Sequence, residues 1–117
     1  VIDIALKKTS ISVSQSIARG VMCNWLVSLA IHVSSAARDV TGKTVALWFP
    51  ISCFVAIGAE HCVANMFFLP LGEALGAEVG IGNMIIHNLL PVTLGNMLGS
   101  LLVSLVFSAR FVWFDKK

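Results

Sequence analysis

Apolar residues along this chain do not alternate; they run in long blocks separated by short charged links. No Asp, Glu, Lys or Arg falls in the 18 residues between Arg19 and Arg38, or in the 31 between Glu78 and Arg110. A helix that crosses a bilayer needs about 20 apolar residues, at 1.5 Å of rise each across some 30 Å of hydrocarbon. Residues 17–37 and 84–109 therefore read as a first and a third crossing. Between them, Val45 to Ala59 is too short to cross alone, and Val63 to Leu71 is shorter still. Joined through Glu60-His61 they are long enough, which predicts a second crossing over 44–71 that is interrupted at its middle. Residues 1–16 form an outer lead-in. The expectation is an all-α membrane protein with three transmembrane segments, the middle one a broken helix, and a single membrane domain over 1–117.

Composition supports the pattern. Of 117 residues, 57% are hydrophobic and 12% charged, with a mean hydropathy of +0.91. Soluble domains carry about 25% charged residues, so an ordinary soluble globule, a disordered chain and a coiled coil are all poor fits. A net charge of +2 is too small and too scattered to form a nucleic-acid face. The expected surroundings are a lipid bilayer, with no nucleic-acid partner. Loop charges set an orientation: the Arg38–Lys43 link and the C-terminal tail carry the positive residues and should face inward, and the Gly72–Asn83 link should face outward. Lys7 and Lys8 run against that rule. The tail at 111–117 reads as an interfacial anchor, and which cellular membrane holds the chain is open. No signal peptide is visible, and a start at Val1 in mid-pattern reads as part of a longer gene product. Cys23, Cys53 and Cys62 lack metal or redox spacing and read as buried small hydrophobes. No metal or cofactor motif is expected.

Candidate chemistry sits where the bilayer makes it expensive. An ionisable side chain at the centre of a spanning helix costs about 2.5–3.5 kcal/mol on insertion scales. Glu60 and His61 lie at the middle of the interrupted segment, with Gly58 before them. One explanation is a hydrogen bond that staples helices together. The other is a break lining a pathway, because non-helical backbone at membrane depth is tolerated only inside protein or beside a water-filled cavity. A half-helix starting at Val63 would aim its partial positive charge at the midplane, a site suited to anions. His61 just before it can serve as neutral donor or cation. Asn24, Asn88 and Asn96 can bond across helices, and Asn65 can satisfy freed backbone at the break or face the pore. Gly95 and Gly99 give a small face for close helix contact. Pro50 is expected to kink the second segment, and His32 and His87 receive no function.

These residues carry a resemblance. Arg19 to Val27 (RGVMCNWLV), Phe49-Pro50 with Phe54-Val55, Gly58 to Pro70 (GAEHCVANMFFLP) and Asn88 to Asn96 (NLLPVTLGN) look like the formate/nitrite transporter family, in its order and spacing. The resemblance implies the second inverted repeat of a six-helix, aquaporin-like channel fold that assembles as a homopentamer when full length. It implies a pathway in which His61 is the central pore histidine with Glu60 beside it. Asn24 and Asn88 are polar residues near that centre, Val27 and Phe54 are apolar constrictions, and Lys8 is a vestibule lysine. Ala59 stands where the family commonly has a bulky aromatic, which implies a local packing change.

The function so implied is transmembrane transport of small monovalent anions, formate or nitrite foremost, through a histidine-centred pore with proton coupling. Other weak acids such as lactate or hydrosulfide, and a non-conducting structural piece of membrane protein, stand as alternatives. An intramembrane enzyme using Glu60-His61 lacks an accompanying nucleophile or metal motif. Lys8 lies 16 residues before Asn24, roughly 24 Å along a continuous helix, so it is expected to act on the centre only through its field.

Overall fold

In the computed structural model the backbone is described for residues 1–114 and side chains for 1–109, so the expected anchor at 111–117 lies outside the described side chains. The described chain is all helical: α1 (Ile2–Ser10), α2 (Val13–Ala36), α3 (Val40–Ala56), α4 (Cys62–Ala74), a single turn α5 (Ile81–Asn83), a π-helical segment (Met84–Leu89) and α6 (Leu90–Phe114). Among the described residues, two helices are long and apolar enough to cross a membrane, Val13–Ala36 and the continuous run Ile81–Ala109. α3 and α4 are apolar but individually too short.

Each boundary has a local cause. Ser12 caps α2 by accepting from the Gln15 N–H at 3.3 Å, which starts that helix at Val13, four residues before the expected crossing. Ile11 and Ser12 are extended, so the expected lead-in is instead a separate helix, α1, packed against α4. Asp39 caps α3 by accepting from the Gly42 N–H at 2.8 Å. α3 runs through Pro50 and ends in a Schellman arrangement: the Gly58 N–H donates to Val55 O and the Ala59 N–H to Phe54 O. Gly58 has φ +65°, a conformation that costs any residue with a Cβ.

The π-helical segment is a feature that hydropathy did not predict. Pro91 has no N–H, so the His87 carbonyl loses its usual partner four residues on. The Ser16 hydroxyl of α2 donates to that carbonyl instead, at 3.5 Å. The Leu90 N–H reaches back five residues to Ile85 O, and this widening places Asn88 on the inner face, fully buried.

α2 and α6 pack closely over most of their length. Gly20 of α2 meets the Val92 carbonyl and Gly95, while Gly95 and Gly99 of α6 lie directly against the carbonyls of Ile17 and Val21. The expected small face is thus a backbone-to-backbone seam. One buried apolar cluster, of Ala5, Leu69, Ala77 and Met84, forms where α1, α4 and the π-helical segment meet. No residue of α3 is buried, and Trp48 and Phe49 are about 70% exposed. Exposed apolar surface on this scale calls for lipid or further protein. It also corrects the expectation for the cysteines: Cys23 is buried in the α2–α6 seam, Cys62 is partly buried, and Cys53 on uncovered α3 is exposed.

Because the seam leaves no room for a Cβ at Gly95, Gly95→Ala should push α6 off α2 and destabilise the protein by about 1–3 kcal/mol, as overpacking does. The thermal midpoint of detergent-purified protein checks this, with Gly82→Ala, which meets open space, as the tolerated control.

Candidate functional site

The break between α3 and α4 is pinned from α6. Asn96 is 3% exposed and uses its whole amide. Its Nδ2 donates to Glu60 O and to Gly20 O, both at 2.9 Å, and its Oδ1 accepts from the Cys62 N–H at 2.9 Å. The Glu60 N–H donates to the Arg19 carbonyl at 3.4 Å. One side chain from α6 thus ties the break to α2 and to the start of α4. Sequence reasoning gave Asn96 only a generic cross-helix bond.

So held, Glu60 turns its carboxylate inward, 3% exposed. Lys8 Nζ donates to both carboxylate oxygens at 3.0 Å. Asn65 Nδ2 donates to Oε2 at 2.6 Å and Asn88 Nδ2 at 3.3 Å. The two asparagines are themselves linked, Asn65 Nδ2 to Asn88 Oδ1 at 2.7 Å, and Asn88 Nδ2 also donates to Lys8 O at 2.9 Å. Four elements meet on one anion: α1, the break, α4 and the π-helical segment. Asn65 Oδ1 is a fully buried acceptor with no hydrogen-bond partner among the described residues.

This geometry corrects the expectation for Lys8. A distance of roughly 24 Å held only for one continuous helix. The turn at Ile11–Ser12 folds α1 back, and Lys8 is in direct contact with the centre, its charge matched by Glu60. A lysine so paired has little field left to offer bulk anions.

His61 is the N-cap of α4. Its Nδ1 accepts from the Ala64 N–H at 3.3 Å, so the neutral ring carries its proton on Nε2. Its ring stacks on Phe54 from the last turn of α3, with centroids 5.9 Å apart and planes at 24°. α4 starts at Cys62, one residue before the expected Val63, and its first-turn donors are largely taken: Cys62 N–H by Asn96 and Ala64 N–H by His61.

A cavity of about 500 Å³ opens beside the break. Its wall includes Lys8, Arg19, Phe54, Glu60, His61 and Asn65. Of the residues expected in a pathway, the structure brings together His61, Glu60, Asn65, Phe54 and Lys8 here, with Asn88 behind them. Asn24 lies elsewhere: its Nδ2 donates to Asn96 O at 3.0 Å and to Ser100 Oγ at 2.9 Å, and it lines a separate groove with Cys62 and Thr93. Val27 is partly buried on α2 and lines neither. Arg19 was passed over because it bounded an uncharged block; the available signal was its place nearly two turns inside a Ser12-capped helix.

Removing one partner of a buried ion pair leaves the other uncompensated, at a cost of about 3–5 kcal/mol. Lys8→Met should therefore lower stability far more than an exposed lysine would, and Glu60→Gln in the same protein should recover most of the loss. A double-mutant cycle on chemical or thermal unfolding measures this; additive effects would mean that the pair is not coupled.

Comparison with known proteins gives a consistent result. Residues 1–109 match the family model described as formate/nitrite transporter. A probable formate transporter of Methanothermobacter thermautotrophicus is 47% identical over 90% of this chain and 36% of its own length. Formate channel FocB of Escherichia coli strain K12 is 35% identical over 85% of this chain and 42% of its own length. Among solved structures, a pentameric formate channel with formate bound superposes with a TM-score of 0.85 at 33% identity, covering 95% of this chain and 51% of that one. An FNT family ion channel gives 0.80 at 37% identity, over 92% and 44% of the two chains. The chain thus spans about half, or less, of the length of these relatives.

Proposed function

This chain belongs to the formate/nitrite transporter family, and from that premise we propose that it forms one half of the wall of a pore for small monovalent anions, with formate or nitrite as substrate. In this reading α2 and the run Ile81–Ala109 are the first and third crossings, and α3 and α4 are two half-helices of a second, broken one. The three crossings correspond to one inverted repeat of a six-helix channel, and the complete protein is a multi-pass membrane homopentamer. Similarity to a structure titled as a pentameric formate channel with formate bound supports both the substrate class and the assembly.

The observation that carries the proposal is the buried, fully compensated Glu60 beside a His61 whose Nδ1 is engaged. Glu60 holds the break open without presenting free negative charge to an anion. His61 keeps Nε2–H as the group to offer, and Phe54 stacked on it narrows an apolar approach that excludes hydrated ions. Protonation at Nδ1 would remove the acceptor that caps Ala64, so proton uptake at His61 and the order of the first turn of α4 are linked. Asn88 and Lys8 act by holding Glu60. The roles of Asn24 and Val27 rest on the family resemblance alone.

In the native full-length protein reconstituted in proteoliposomes, formate uptake should exceed that of protein-free vesicles. His61→Phe should alter its dependence on pH and on substrate identity at equal folded protein. An unchanged profile in that variant would leave His61 as a cap and nothing more. Phe54→Ala should raise leak of larger or more hydrated anions; unchanged selectivity at normal expression would place that ring outside the path.

A further inference from the structure

Cations near the break divide into two kinds. Lys8 is spent on Glu60, and Lys7, which also lines the cavity, is exposed. Arg19 differs from both. It stands within α2, is only partly exposed, lines the 500 Å³ cavity together with His61 and Phe54, and its guanidinium makes no hydrogen bond or ion pair among the described residues. Its own carbonyl receives the Glu60 N–H, so its backbone is locked to the break that positions His61. Among the described residues Glu60 is the one acid in the cavity wall, and it is matched by Lys8. Of the two unpaired cations in the cavity wall, Lys7 is exposed and Arg19 only partly so, which leaves Arg19 as the charge less open to solvent.

A charged side chain inside a membrane-crossing segment is costly and is kept where it faces a cavity and marks a substrate path. Arginine also brings a specific geometry: a planar fork of N–H donors that pairs two coplanar oxygens at once, which the ammonium of lysine cannot do. Formate, nitrite and small carboxylates present two such oxygens; a halide presents none. We propose that Arg19 is the specificity-determining residue of this cavity, reading a planar two-oxygen anion through its fork before the anion reaches His61. The proposal rests on the pathway reading above for the place of the cavity in the protein, and goes beyond it in naming the residue and the ligand geometry.

The test uses the native full-length protein with Arg19→Lys, which keeps the charge and removes the fork, and Arg19→Gln, which removes both. Binding is read as the thermal stabilisation of purified protein by sodium formate and by sodium chloride, and flux as uptake of each anion into proteoliposomes. Loss of a charge-assisted bidentate contact predicts formate binding about tenfold weaker in Arg19→Lys, with chloride binding unchanged and the formate-to-chloride ratio collapsing. Arg19→Gln should weaken both anions. An unchanged ratio in Arg19→Lys overturns the proposal, whether Arg19 serves only as a point charge or is paired with a carboxylate elsewhere in the native protein. Wild-type protein that moves formate with no fork-dependent binding removes the role of Arg19 and leaves the pathway intact. Wild-type protein that binds formate through Arg19 and moves none keeps the role of Arg19 and overturns the pathway. Should Arg19→Gln fail to fold, Arg19→Lys carries the decision alone.

Discussion

A carboxylate buried at a helix break has to be compensated, and much of this structure follows from that need. Leaving Glu60 alone in a low-dielectric interior would cost several kcal/mol. Lys8, Asn65 and Asn88 answer it together, and each arrives from a different part of the chain. Lys8 requires α1 to fold back at Ile11–Ser12. Asn88 requires the π-helical widening before Pro91. Asn65 requires α4 to begin at Cys62, which the His61 cap secures. The irregular features of the backbone therefore serve one polar cluster, and the regular seam of α2 and α6 supplies the rigid wall against which it is built.

That division explains the form of the site. With both oxygens paired, Glu60 fixes the geometry of the break and cancels the charge of Lys8. His61 and Arg19 keep unengaged donors toward the same cavity. One is a neutral hydrogen-bond donor in its capped state, and the other a fixed cation. In the proposed pathway, such a pair attracts and orients a small anion without the deep trap that several unpaired cations would make, since conduction requires binding weak enough to release.

Much of the design was legible in the sequence. Block lengths located both long helices, and the charge pair at Glu60-His61 with Gly58 before it marked the break. Gly95 and Gly99 marked the seam. What hydropathy could not register was direction. Nothing in an apolar count distinguishes a lead-in that continues α2 from one that folds back, so Lys8 was placed far from the centre it contacts. The signal was present in Ser12, a capping residue ahead of Gln15. Likewise Pro91, four residues after His87, carried the information for the π-helical segment. The helix N-terminus of α4 was found, but which of its donors were already taken depended on Asn96, 34 residues beyond Cys62; only the folded chain brings them together.

The most direct test of this account is a cryo-EM structure of the native full-length protein in lipid nanodiscs at side-chain resolution. The account predicts α1 folded back, Lys8 Nζ about 3.0 Å from both Glu60 oxygens, and the break open between Ala56 and Cys62. A straight helix through Ile11–Ser12, with Lys8 in solvent and Glu60 unpaired or paired elsewhere, would contradict it.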